Sequence, residues 1–115
     1  MFVPANQSRI WLCTTPTDMR KSFNGLSALV KNQLLHDPLN GHYFVFVNRR
    51  KTQMKILYFE PSGYCVWSKR LEQGQFGIKP SSSGLRGLTQ ADLQLIIDGI
   101  EVQQYRQFKR FRRAA

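Results

Sequence analysis

Three consecutive cations, Arg49, Arg50 and Lys51, stand between two runs of aromatic and β-branched residues in FVNRRKTQMKILYF, with Lys55 close behind and the pair Lys69 and Arg70 ending the next such run. Guanidinium groups take phosphate oxygens two at a time, and a basic ribbon tip is a shape that a nucleic-acid groove admits. A charged hairpin tip is also a common solvated feature that guards against edge-to-edge pairing, so the residues alone leave both readings open. A second constellation lies in YRQFKRFRR, where Arg106, Lys109, Arg110, Arg112 and Arg113 are interleaved with Tyr105, Phe108 and Phe111. There the arginines can neutralise phosphates while rings stack on bases; equally, the rings can pack a helix onto the domain and leave its cations in water. Together these eleven basic residues are the candidate nucleic-acid contacts.

Enzymatic chemistry finds far less. The chain holds no GxxxxGK[ST] loop, GxSxG elbow or HExxH helix, and Asp18, Asp37, Glu60, Glu72, Asp92, Asp98 and Glu101 are mostly assignable to caps and turns. Metal-dependent strand chemistry needs several carboxylates converging on divalent ions. Asp18, Glu60 and Asp98 carry no spacing that asks for it. Cys13 and Cys65 belong to no metal-ligand spacing and read as small hydrophobes, while His36 and His42 flank the turn DPLNG without a third ligand. No catalytic residue, metal or cofactor is expected.

The charge balance points the same way. Seventeen Lys and Arg against seven Asp and Glu give +10, and residues 49–115 hold thirteen of those cations and five of the acids. A single-sign field of this size concentrates polyanions at the surface. DNA is the expected partner. Membrane is the weaker alternative, because the basic segments carry rings where a folded domain needs core, and no apolar run is long enough to cross a bilayer. The start MFVPANQSRIWLC lacks the basic and apolar regions of a secretory signal, so the cytoplasm is the expected location.

The elements that must position these residues are legible from pattern. RIWLC, Arg9 to Cys13, reads as an opening strand. Thr15, Pro16 and Asp18 then fit an N-cap, a first-position proline and a first-turn acid, with Met19, Phe23, Leu26, Val30 and Leu34 forming the apolar stripe of the helix that follows. Gly25 weakens that helix, so either a close contact requires it or the helix starts later, near Asn24. HYFVFV, MKILYF and YCVWSKRL read as three antiparallel strands in a meander over 42–71, joined by NRRKTQ and EPSG. In the second strand Met54, Ile56 and Tyr58 share one face and Lys55, Leu57 and Phe59 the other, so the sheet should be covered on both sides. A partner could supply one of those covers. KPSSSG divides this region from the helix LTQADLQLIIDGI, with Thr89 as N-cap, Asp92 as its third-position acid, Leu88 stapled onto Leu93, an apolar face of Leu93, Ile96, Ile97 and Ile100, and Gly99 as terminator. The expectation is an α+β fold: an antiparallel sheet of about three to five strands packed against an N-terminal helix and C-terminal helices. Residues 1–100 form one compact domain, and 101–115 a basic amphipathic helix or tail.

The order of segments also carries a resemblance. TDMRKSFNGLSALV, DPLNGHYFVFVNRRKTQMKILYFEPSGYCVWSKRLEQGQF and LTQADLQLIIDGI resemble, in that order, the accessory proteins called TnpB, second-open-reading-frame products of the insertion-sequence-sixty-six transposon family. The matching positions include Asp18, Met19, Arg20 and Lys21, then Arg49, Arg50, Lys55, Lys69, Arg70, Leu71, Glu72, Gly74 and Phe76. The resemblance implies a non-catalytic protein that assists transposition beside a separate transposase, either by binding DNA or by docking on that transposase. Ser22 and Asn24 stand where glycine and aspartate are usual, and YFEPSG where an aromatic pair followed by aspartate is usual, which argues further against carboxylate chemistry at either place.

Overall fold

The computed structural model describes residues 8–78, 84–101 and 106–107. In chain order it contains β1 (Ile10–Cys13), α1 (Phe23–Asn32), β2 (Tyr43–Val47), β3 (Gln53–Glu60), β4 (Gly63–Arg70), β5 (Leu85–Leu88), α2 (Gln90–Ile97), and two short strands, β6 (Ile100–Glu101) and β7 (Arg106–Gln107). The fold is α+β. The main sheet has the order β4-β3-β2-β1-β5, with β1 and β2 parallel and every other neighbour antiparallel. The meander β2-β3-β4 follows the expected pattern. The parallel pair arises because β1 and β2 are joined by a strand-helix-strand crossover, which returns the chain in its starting direction.

Alternation sorts the side chains into two cores. Ile10, Leu12, Tyr43, Val45, Met54 and Ile56 face Leu93 and Ile96 of α2, together with Phe76 and Ile78 from the segment after β4. Cys13, Phe44, Phe46 and Leu57 face Leu26 and Val30 of α1. Both sheet faces are therefore apolar, as the doubled pattern of β3 requires, and the chain's own helices supply cover on each. Burial pushes the Cys13 thiol above its ordinary pKa, the behaviour of a small core hydrophobe.

The first helix takes the later start that Gly25 left open, and not the one that Thr15 and Pro16 suggest. Thr15, Pro16 and Asp18 do not start it; it begins at Phe23 after Ser22, whose side chain makes no cap bond. Thr17 N–H donates instead to Val47 O at 2.9 Å, and Asp18 folds into a local turn, its carboxylate accepting from Arg20 N–H at 2.9 Å. These tertiary and turn bonds satisfy donors that a cap would otherwise serve. Gly25 lets the loop lie close: a Cβ there would sit 3.1 Å from Lys21 Cβ and Cγ. With the helix starting late, the apolar stripe is broken. Leu26 and Val30 are buried, Met19 and Leu34 pack onto the same core from the flanking loops, and Phe23 is 47% exposed.

The second helix matches its sequence signals. Thr89 accepts from Asp92 N–H at 3.0 Å while Asp92 accepts from Thr89 N–H at 3.1 Å, a complete capping box, and Gly99 closes the helix at φ 84°. Leu88 packs on the core that holds Leu93. Beyond Gly99 the expected helix is not formed at Glu101, Arg106 or Gln107, where β6 and β7 pair as antiparallel strands. The left-handed glycine ends helical propagation, and Ile100 leads into residues of strand-forming type. Residues 102–105 and 108–115 of that expected segment lie outside the described residues. β5 is short and carries Arg86 and Gly87 in the sequence LRGL; pairing with β1 defines it.

At its C-terminal end α1 is closed by Leu35 in the left-handed region, φ 57°, with His36 N–H donating to Val30 O at 3.1 Å. Glycine is the usual occupant of such a position, because an L side chain costs about 1–2 kcal/mol there. Leu35 is 81% exposed, so its removal takes little from the core. Leu35→Gly is expected to raise the thermal midpoint, and Leu35→Ala, which retains the Cβ, to leave it near wild type.

Candidate nucleic-acid interface

The connection between β2 and β3 is a stiff turn. Asn48 Oδ1 accepts from Thr52 N–H at 2.9 Å and Gln53 N–H at 3.1 Å, Asn48 Nδ2 donates to Thr52 Oγ1 at 3.2 Å, and Lys51 N–H donates to Asn48 O at 3.0 Å. Lys51 takes the left-handed conformation, φ 59°. The segment after β4 is stitched across the back of this turn. Leu71 N–H donates to Thr52 O at 2.7 Å, Phe76 N–H to Lys51 O at 2.8 Å and Gln75 Nε2 to Arg50 O at 2.9 Å, with the Phe76 ring fully buried as the anchor. The carbonyls of Asn48, Arg50, Lys51 and Thr52 are all occupied. What remains outward is cationic: Arg49 and Arg50 are exposed and Lys51 half-buried.

A third segment meets the turn from the α1 face. Thr17, Asp18 and Met19 line one depression with Asn48, Arg49 and Arg50. Lys55 fixes this loop, its Nζ donating to Met19 O at 2.7 Å and Lys21 O at 2.8 Å. Lys55, one of the expected phosphate contacts, has its ammonium on the loop that carries Arg20 and Lys21 and braces it. Register explains the reach. Lys55 lies opposite Phe46 and Ser68 on the α1 face of the sheet, where the loop passes.

The remaining basic candidates divide. Arg70 pairs with Gln53 and so shares the Lys55 face, whereas Lys69 pairs with Met54 and belongs to the opposite face. Both are exposed, and Arg70 Nε lies 3.5 Å from Glu72 Oε2 in an open ion pair that contributes little. Cations thus stand on both sides of the turn at one end of the sheet. Arg106 has its backbone in β7, paired with Glu101; Lys109, Arg110, Arg112 and Arg113 lie outside the described residues. Arg20 and Lys21, both exposed at this same end, were not among the expected contacts. The signal for Arg20 was the Asp-x-Arg spacing, which lets a carboxylate close a turn and meet the guanidinium two residues on.

That pair is well formed. Asp18 accepts Arg20 Nε at 3.1 and 3.0 Å and Arg20 Nη2 at 2.6 Å. The guanidinium and backbone N–H of Arg20 hold the Asp18 carboxyl down to about 2. Among the described residues no group of three His, Cys, Asp or Glu could hold a metal ion, and no helix is long and apolar enough to cross a membrane.

Residues 8–107 match the family described as IS66 Orf2 like protein. Two relatives from Sinorhizobium fredii are similar over 101 residues: the uncharacterized protein y4hO, 33% identical across 87% of this chain and 88% of its own length, and the uncharacterized protein y4jC, 35% identical across 88% and 86%. No solved structure matches significantly.

Two outcomes follow from the braced loop. Lys55→Met removes the bonds to Met19 O and Lys21 O and is expected to lower stability by about 1–3 kcal/mol in chemical denaturation. Because the folded-state pKa of Asp18 is depressed, its ion pair persists from neutral pH downward and is lost only as pH falls through about 2. A carboxyl-carbon NMR titration should show this, and Arg20→Gln should return the midpoint toward the ordinary 3.8.

Proposed function

The chain belongs to the IS66 Orf2-like family, whose members have an accessory role in insertion-sequence transposition, and on that premise we propose that it is a non-catalytic factor that binds DNA through the basic end of its sheet. The observation that carries this reading is convergence. Three segments far apart in sequence, 16–21, 48–53 and 69–76, are hydrogen-bonded into one end of the molecule and present Arg20, Lys21, Arg49, Arg50, Lys51, Lys69 and Arg70 there. Charged side chains placed only for solubility would not need backbone stitched from two directions. A solvated tip, the plainer reading, accounts for the exposure of Arg49 and Arg50 and not for the rigidity beneath them. The basic residues of the C-terminal segment belong to the same proposal through their charge alone.

A second reading is favoured by a different place on the surface. The central strands of the sheet are covered by α1 on one face and α2 on the other. A groove lined by Ala28, Lys31, Leu35, His36, Leu39 and Tyr64 lies at the far end of the sheet, with Leu35 and Leu39 81% and 54% exposed. Docking of the transposase there is compatible with DNA at the opposite end. Association of the co-expressed pair through a nuclease wash, lost on Leu35→Asp, supports it; a pair that parts once DNA is digested argues against it.

For the leading reading the measurement is duplex binding across a salt series. Log affinity is expected to fall linearly with log salt, with a slope near the number of phosphates neutralised, and the double change of Arg49 and Arg50 to Ala to reduce that slope by about 2. Absence of binding at low salt, or binding indifferent to salt, overturns it.

A further inference from the structure

Arg20 is the most exposed side chain of the molecule's one close ion pair among the described residues, at 91%, and yet it is held from three directions. On its own side chain, Asp18 closes the edge formed by Nε and Nη2. On its backbone, Arg20 N–H donates to the same carboxylate at 2.9 Å. On either side of it in the chain, the carbonyls of Met19 and Lys21 are gripped by one ammonium, that of Lys55, reaching from the middle of β3. A long side chain in water is ordinarily left free, since an exposed ion pair contributes little to stability and fixing the rotamers opposes it. The Lys55 bonds stabilise the loop, but stability gives little reason for the Asp18 clasp on so exposed a guanidinium.

Geometry suggests what the arrangement serves. A guanidinium carries five N–H groups in a planar fork. With the Nε edge closed by Asp18, the outer end of the fork retains two roughly parallel N–H groups, one on each terminal nitrogen, the edge that meets two acceptors at once. It stands at the end of the sheet that also carries Arg49 and Arg50, whose depression Asp18 lines. We propose that Arg20, fixed by Asp18 and Lys55, is a preset nucleic-acid contact whose free edge takes a pair of acceptors, either two oxygens of a backbone phosphate or the O6 and N7 of a guanine. This rests on the DNA-binding reading and adds to it a residue outside the expected contacts and an acid that works in favour of binding. Asp18 is a positioning residue here: it touches no nucleic acid and acts by ordering the guanidinium before the ligand arrives.

The position of an acid at a polyanion site makes the test sharp. The full chain and the variants Arg20→Ala, Arg20→Lys and Asp18→Asn are titrated against a guanine-containing duplex and the same duplex with 7-deazaguanine. Arg20→Ala is expected to weaken binding roughly fivefold to a hundredfold, and Arg20→Lys to weaken it as well although the charge is kept. For Asp18→Asn, simple electrostatics demands tighter binding, since a negative charge has been removed. The preset contact demands the opposite, a loss of roughly twofold to tenfold, because the freed side chain must then be ordered on binding. Tighter or unchanged binding by Asp18→Asn overturns the proposal, as does wild-type affinity in Arg20→Lys, which leaves the Asp18 turn in place should the Asn variant disturb the loop. An Arg20 effect that vanishes on the 7-deazaguanine duplex identifies the guanine edge; one that persists identifies phosphate. If the wild-type chain binds neither duplex, the DNA-binding reading itself fails, an outcome distinct from tight binding by Asp18→Asn.

Discussion

A sheet buried on both faces has no room for charge except at its edges and its ends. That constraint governs this molecule. With Leu26 and Val30 on one face and Leu93 and Ile96 on the other, the strands must be apolar at both parities, and the surplus cations are carried out of the layers into the turns. The exception is Lys55, a cation midway along β3 in register with Phe46 and Ser68. It is tolerated because its long stem crosses the layer and its ammonium finds two carbonyls at the rim. One lysine thus ties the loop before α1 to the middle of the sheet.

The same constraint decides which parts of the fold could be seen in the sequence. The meander was legible because alternation and turn residues are local, and α2 was legible because Thr89 and Asp92 complete their capping box within four residues. The start of α1 was legible only through Gly25, which left a later start near Asn24 open. Thr15, Pro16 and Asp18 have the chemistry of a helix start, but Thr17 N–H is taken by Val47 O, a partner thirty residues away that no local pattern reveals. β5 was invisible for a related reason: LRGL has little strand character of its own and is made by pairing with β1.

At the basic end, charge was legible in the sequence and the bracing beneath it was not. Arg49, Arg50 and Lys51 could be singled out as a cationic tip, yet nothing in NRRKTQ discloses that Gln75 and Phe76 will hold its carbonyls from behind. Lys55 looked like one more cation in the same group, and only the passage of the 17–21 loop over the α1 face turns it into a brace. Arg20 stood out as a motif residue without a task, and Asp18 as a helix-start acid. Side-chain chemistry can be read along a chain, whereas the division of labour among like charges is set by which backbone passes nearby.

The position of β1 has a consequence for how the molecule comes into being. This strand lies between β2 and β5, so it is completed on its outer side by a strand made only after the whole meander, with Ile10 opposite Leu88. Such pairing closes a loop of most of the chain and is slow to form relative to local contacts. A chain emerging from the ribosome can form the meander early, but its opening strand stays half-paired until residue 88 has appeared. The loop carrying Asp18 and Arg20 leads out of that strand but is held by Val47 and Lys55, both made before β5, so the basic end can form before the sheet is complete.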